Sequence, residues 1–146
     1  MPAFRGQYSY SLDKKGRVNV PARFRHALDP EAEDTFVVTT GFDRCLFAYP
    51  LNIWEQKEAV LREQPITNSR SRKVVRLLMA NAAESTCDGQ GRINIPRQLL
   101  EWARLEKEVL INGTLDHLEL WNPEEYARYM GDIEDTFEEL AEDLIF

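Results

Sequence analysis

Apolar and polar positions change rhythm along this chain in the same way twice. Over residues 7–12 they alternate, with Tyr8, Tyr10 and Leu12 on one side, which predicts a half-buried strand. Asp13-Lys14-Lys15-Gly16 reads as a tight turn whose glycine accepts a positive φ. Residues 17–20 predict a second short strand. Pro21 then opens a short helix over 22–28, which Asp29-Pro30 ends. β-branched and aromatic runs at 35–40 and 45–49 flank Gly41-Phe42-Asp43-Arg44, so they predict a hairpin. Pro50 opens a further helix over 51–62. From residue 82 the order returns: strands over 82–87 and 92–95, a helix over 97–104, strands over 108–112 and 117–121, and a helix over 123–130.

The residues repeat as well as the rhythm. Asp13 to Pro21 and Asp88 to Pro96 both read D-x-x-G-R-[VI]-N-[VI]-P, at an offset of 75 residues. Downstream, Gly41, Leu46, Ala48, Tyr49 and Trp54 align with Gly113, Leu118, Leu120, Trp121 and Tyr126, at an offset of 72. Two ordered blocks at nearly one offset indicate a duplicated unit. The fold class is therefore α+β and mainly β, with one small unit over 5–64 and another over 81–130. A linker and connecting helix over 65–80 joins them. In that helix Val74, Leu77 and Leu78 stand at core-stripe spacing. Its Arg70, Arg72, Lys73 and Arg76 are the densest basic run of the chain, and read either as a solvated face or as a phosphate-contacting one.

Charge sharpens this picture. The formal net charge is −7, yet residues 116–146 hold 11 acidic residues and one basic residue, Arg128. The first 115 residues therefore carry a net +3, and the first 30 a net +4. The acidic excess belongs to the C-terminal region, including a tail over 131–146. A local basic face governs phosphate contact, and the chain average does not. The N-terminal positives also read as a solvated face balanced by the C-terminal negatives.

The chemistry on offer excludes several classes. His26 and His117, with Cys45 and Cys87, lack metal-ligand spacing, so no metal is expected. Gly89-Gln90-Gly91 lacks the third glycine of a dinucleotide loop. No nucleophile, base and orienter occur together, so neither a catalytic residue nor a cofactor is expected. Trp54 and Tyr126 read as core residues. The apolar runs are too short to span a bilayer, and no leader pattern opens the chain. The two cysteines therefore read as reduced thiols in the cytoplasm.

The D-x-x-G-R turn carries the most information. A tight turn pushes Arg17 and Arg92 outward beside exposed backbone amides, and arginine's planar fork suits phosphate oxygens and guanine edges. Asp13 and Asp88 accept hydrogen bonds from turn amides. Lys14 and Lys15 add positive charge to the first turn, where Gly89 and Gln90 leave the second neutral. On the plainer reading, each aspartate pairs with its arginine only to brace the turn.

These paired turns resemble the swapped-hairpin β-barrel domain of the AbrB/SpoVT regulators. Two copies in one chain of this length resemble the MraZ family. Phe4-Arg5-Gly6, the run Arg72-Lys73-Val74-Val75-Arg76-Leu77-Leu78 and Leu118-Glu119-Leu120-Trp121 follow that family's order over about residues 4–130. The resemblance implies two tandem AbrB-like swapped-hairpin units with short helices, related by a pseudo-twofold axis. It also implies a transcriptional regulator of the division and cell-wall gene cluster. Such a regulator binds double-stranded DNA with short direct repeats upstream of its own operon. It is expected to be a closed, ring-shaped homo-oligomer, cytoplasmic and nucleoid-associated, with no membrane partner and no small-molecule substrate. The family's D-x-x-x-R motif falls on Asp13, Arg17, Asp88 and Arg92. With the neighbouring cations, the expected DNA-contacting set is Arg5, Asp13, Lys14, Lys15, Arg17, Asp88 and Arg92. The alternative is a protein-interaction module, such as an antitoxin of this fold whose acidic tail engages a basic partner.

Overall fold

The computed structural model describes residues 3–131 and 136–146. Its elements follow the duplicated order. The first copy holds β1 (Phe4–Ser11), β2 (Arg17–Asn19), α1 (Ala22–His26), β3 (Thr35–Thr40), β4 (Leu46–Pro50) and α2 (Leu51–Arg62). Helix α3 (Ser69–Asn81) connects to β5 (Ala83–Thr86), β6 (Arg92–Asn94), α4 (Arg97–Trp102), β7 (Glu108–Leu115), β8 (His117–Trp121) and α5 (Pro123–Met130). A single-turn helix, α6 (Phe137–Leu140), lies in the acidic tail. Residues 132–135 of that tail lie outside the described residues.

Six strands form one antiparallel sheet in the order β1-β7-β8-β4-β3-β5, and β2 pairs with β6 in a separate ribbon. The sheet order is unchanged when each strand is exchanged for its counterpart in the other copy. At its centre, Leu46 faces Leu120 and Ala48 faces Leu118 across the Phe47–Glu119 pair. In the ribbon, Arg17 faces Asn94 and Asn19 faces Arg92 across the Val18–Ile93 pair. Each copy lends its first strand to the other, β1 to β7 and β5 to β3. The architecture is thus α+β with a mostly antiparallel sheet.

The copies also share one core. Phe4, Phe24, Phe36, Val38 and Leu46 of the first pack in the same cluster as Ile93, Leu99, Ile111, Leu118 and Leu120 of the second. Strand β3 is buried along its whole length, as its unbroken run Thr35–Thr40 requires. Trp54 is buried as expected, and Tyr126 is half-buried with Trp121.

Several boundaries move. β1 begins three residues early, and β7 runs three residues past the expected end. Helix α4 stops at Trp102 because Arg104 takes a left-handed φ of 54°. The alignment of Gly41 with Gly113 is corrected by one position. Thr40 faces Leu46 where Gly113 faces the equivalent Leu118, so Thr40 is the counterpart of Gly113. The extra residue is absorbed in the turn at Phe42–Arg44, where Asp43 and Arg44 take φ of 61° and 66°.

Helix α3 departs from expectation in its burial. Asn68 caps it by accepting from the Ser71 amide at 3.1 Å. Its apolar stripe is not sealed, however: Val74 is 43% and Leu77 48% exposed. The strand beneath offers hydroxyls. Thr39 Oγ1 donates to the Leu78 carbonyl at 2.6 Å, and Thr40 Oγ1 to the Leu77 carbonyl at 3.5 Å. Polar side chains thus hold the helix backbone; Val74, Leu77 and Met79 stay at the surface, and Val75 and Leu78 are half-buried.

Candidate nucleic-acid interface

The β2–β6 ribbon brings the two D-x-x-G-R turns together. Alternation fixes its faces. Val18, Val20, Ile93 and Ile95 point into the core, which leaves Arg17, Asn19, Arg92 and Asn94 on the outward side. Backbone bonds lengthen the ladder beyond its three paired positions. The Val20 amide donates to the Gly91 carbonyl at 2.9 Å, and the Ile95 amide to the Gly16 carbonyl at 2.8 Å. Each turn is therefore anchored by the strand of the other copy.

Each turn closes around its aspartate. Asp13 Oδ1 accepts from the amides of Lys15 at 2.9 Å and Arg17 at 2.8 Å, and Oδ2 accepts from Arg17 Nε at 2.7 Å. Asp88 repeats this with the amides of Gln90 at 2.9 Å and Arg92 at 3.0 Å, and with Arg92 Nε at 2.9 Å. The bond from the Arg17 amide is the main cause holding the Asp13 carboxyl below its ordinary 3.8, against the opposing effect of burial. The Arg92 amide does the same for Asp88. Both carboxylates are therefore charged at neutral pH.

The glycines are needed twice over. Gly16 and Gly91 take φ of 81° and 76°, in the region that L side chains avoid. A Cβ on Gly16 would sit 2.8 Å from the Ile95 carbonyl oxygen, and one on Gly91 2.6 Å from Arg25 Cζ. Arg25 is itself tied down, with Nε donating to the Val20 carbonyl at 3.1 Å. It belongs to the support of the second turn rather than to an outward basic face.

The bracing read from the sequence is thus present, and it has a geometric consequence. The aspartate occupies the Nε of each guanidinium. In Arg17 the Nη1/Nη2 end has no acceptor among the described residues and keeps the two-pronged edge that pairs with two adjacent acceptors. Arg92 also reaches toward the other turn, with Nη1 3.9 Å from Asp13 Oδ2. Lys14 and Lys15 are exposed beside Arg17, and Gly89 and Gln90 are exposed in the second turn. Asn19 and Asn94, which the sequence reading passed over, share the outward face with the arginines. The signal was the R-[VI]-N-[VI] alternation itself. Asn19 Nδ2 donates to the Gln90 carbonyl at 3.2 Å and so ties the two turns together. Arg5, on β1, stands apart: it pairs with Thr114 of β7, about 20 Å along the strand from Ser11.

The remaining candidates have structural surroundings. Cys45 is buried with Sγ donating to the Phe42 carbonyl at 3.2 Å, and burial raises its thiol far above the ordinary value. Burial also raises Cys87. His117 stacks on Tyr49 and bonds Asp116 through Nδ1 at 2.8 Å. Among the described residues no helix is long and apolar enough to cross a membrane.

Fold and site together define a two-copy α+β protein that presents a pair of aspartate-braced arginines on one outward ribbon. Residues 3–77 and 78–145 each match the family described as "MraZ protein, putative antitoxin-like". The chain is 41% identical over 142 residues to a relative from Natranaerobius thermophilus, which covers 97% of this chain and 96% of that one. It is 42% identical over 142 residues to one from Desulforamulus reducens, at 97% of each chain. It is also 42% identical over 138 residues to one from Halothermothrix orenii, at 94% of each. All three relatives are named "Transcriptional regulator MraZ". The chain belongs to the MraZ family.

Proposed function

We propose that this protein is a sequence-specific transcriptional regulator that reads double-stranded DNA through the β2–β6 ribbon. The observation that carries the reading is the aspartate brace, which fixes each guanidinium by Nε on the outward side of the ribbon and leaves the Nη end of Arg17 without a protein acceptor among the described residues. A two-stranded ribbon fits the major groove, about 12 Å wide, where arginine pairs with the O6 and N7 acceptors of guanine. Arg17 and Arg92 are the base readers, and Asp13 and Asp88 position them. Lys14 and Lys15 contact phosphate. Arg5, at the far end of β1, serves a backbone phosphate outside the ribbon's own footprint. The names of the relatives support the regulatory role.

On this reading residues 5–64 and 81–130 are AbrB-like swapped-hairpin units that share one DNA-reading ribbon. One ribbon covers few base pairs, so useful specificity needs several ribbons on spaced sites. The protein therefore works as a closed homo-oligomer on short direct repeats. Its own operon in the division and cell-wall gene cluster is the target, which places it at the nucleoid in the cytoplasm. It needs no cofactor, metal or small-molecule substrate, and it is not an enzyme.

The test is a gel shift with the DNA upstream of its own gene at two salt concentrations. Tight binding with a steep fall in log affinity against log salt is expected. The family description also carries the word antitoxin, which favours a second reading. A protein-binding module whose acidic tail holds a basic partner gives no promoter-specific shift at either salt concentration.

A further inference from the structure

Two exposed surfaces of the chain are complementary in charge and in apolar character. One is α3. Arg70, Lys73 and Arg76 make no ion pair among those residues, and Arg72 donates only to the Ile66 carbonyl, at 2.7 Å. The exposed part of its stripe, Val74 and Leu77, borders a groove of about 320 Å³ whose other wall is Phe42, 68% exposed, and Trp102. The helix carries no acidic residue. The other surface is the C-terminal segment 136–146. Glu138, Glu139, Glu142 and Asp143 give it charge, and it contains no basic residue. Phe137, Leu140 and Leu144 are 62–66% exposed, and Ile145 and Phe146 are fully so.

We propose that the segment 136–146 of one copy docks on the α3 groove of a second copy. The proposal deepens the homo-oligomer reading by naming the segment that joins neighbours. The match is of two kinds at once. The groove is also lined by Asp43 and by Arg44, which lies over the Trp102 ring at 4.0 Å. Aliphatic and aromatic side chains of the segment fill the Val74–Leu77–Phe42 groove, and its carboxylates face Arg44 on the groove wall and Arg70 and Lys73 along α3. Among the described residues none of the segment lines the groove, and the apolar side chains of both are exposed. A second copy offers the exposed apolar and charged side chains of each surface their complement. The acidic C-terminal charge then acts as one half of an interface, so the net −7 does not oppose DNA at the ribbon.

Two full-length variants test this, Leu77→Cys and Leu144→Cys, one of them labelled with heavy isotope. They are mixed and oxidised, and the disulfides are mapped by mass. Native Cys45 is buried and Cys87 half-buried, and each has its own peptide. A mixed light–heavy 77–144 disulfide is the expected product. Its absence overturns the proposal, as does ring closure within one chain of the double variant. Sedimentation of the full chain separates the two readings. An oligomer without the mixed disulfide leaves the homo-oligomer reading standing and removes this one, and a monomer without it removes both. Charge reversal gives a second readout that does not depend on thiols. Arg70→Glu with Lys73→Glu weakens self-association roughly tenfold, and added Glu138→Lys with Glu142→Lys restores it. Failure of the restoring pair on a folded protein also overturns the proposal.

Discussion

Replacing Arg17 by alanine separates the two roles that its turn combines. The fold depends little on this side chain. Asp13 keeps its bonds from the Lys15 and Arg17 amides, because both donors are backbone groups. What is lost is one Nε bond and an ion pair whose two side chains are each about one-third exposed. Pairs of that kind contribute little to stability, so the melting temperature stays within a few degrees. The DNA contact responds differently. The Nη1/Nη2 end is the part that reads acceptors, and a bidentate arginine–guanine contact is worth about 1–3 kcal/mol. At about 2 kcal/mol, each engaged ribbon loses roughly thirtyfold in affinity. Two ribbons on one operator lose about a thousandfold, which takes binding below detection. The assay is operator affinity by fluorescence anisotropy, with circular dichroism melting on the same sample. A folded Arg17→Ala protein that holds its operator like wild type would refute the reasoning. Arg92→Ala is the comparison. Arg92 approaches both aspartates, so its loss lowers the melting temperature more and operator binding less.

Lys14→Ala or Lys15→Ala weakens binding evenly across DNA sequences and lowers the slope of log affinity against log salt by about one for each phosphate contact removed. Gly16→Ala destabilises the fold by more than about 1 kcal/mol, because a left-handed φ and a backbone oxygen at 2.8 Å both oppose a Cβ. Gly89→Ala, with nothing within 4 Å of its Cβ, stays within about 0.5 kcal/mol in the same denaturant titration. In acid, Asp13 and Asp88 have folded pKa values below the ordinary 3.8, so their stabilisation is present above that value and is lost as pH falls through the depressed one. Acid titrations followed by circular dichroism should therefore show a limb below about pH 4 that flattens in Asp13→Asn with Asp88→Asn. An unchanged limb in that variant would mean that other carboxylates govern acid unfolding.

Much of this site was legible because the features that build it are local. A D-x-x-G-R turn is closed by bonds between residues two to four apart, and the R-[VI]-N-[VI] alternation fixes which side chains face out. Two other features were not legible, because they depend on pairing between distant residues. The sequence does not reveal that β2 pairs with β6, and without that pairing the two turns have no reason to be neighbours. Nor does it reveal that Thr39 and Thr40 lie beneath α3. The Val74–Leu77–Leu78 spacing was that of a core stripe, and with hydroxyls on the strand below, Val74 and Leu77 stay exposed and Leu78 is only half-buried. The one-residue shift at Gly41 has a similar cause. A glycine match is strong in sequence, but strand register is decided by the side chains that fill the core, here Leu46 and Leu118.

The two copies differ where the fold permits it. Gly16 and Gly91 are constrained by φ and by close neighbours, and the aspartates and arginines are constrained by one another. Val18, Val20, Ile93 and Ile95 are fixed by the core. The second and third positions of each turn are not, since they are exposed and only their backbone amides enter the brace. There the copies have diverged, to Lys14-Lys15 in one and Gly89-Gln90 in the other. The consequence is electrical. Each arginine is paired with its aspartate, so the turns differ in net charge by the two lysines alone. Within a Debye length of about 8 Å, those two charges weigh more than the distant acidic tail. On the proposed reading the first turn therefore attracts phosphate and sets the salt dependence. The second, nearly neutral, then contributes an oriented guanidinium without adding non-specific affinity. Duplication has given one rigid ribbon two ends with separate electrostatic tasks.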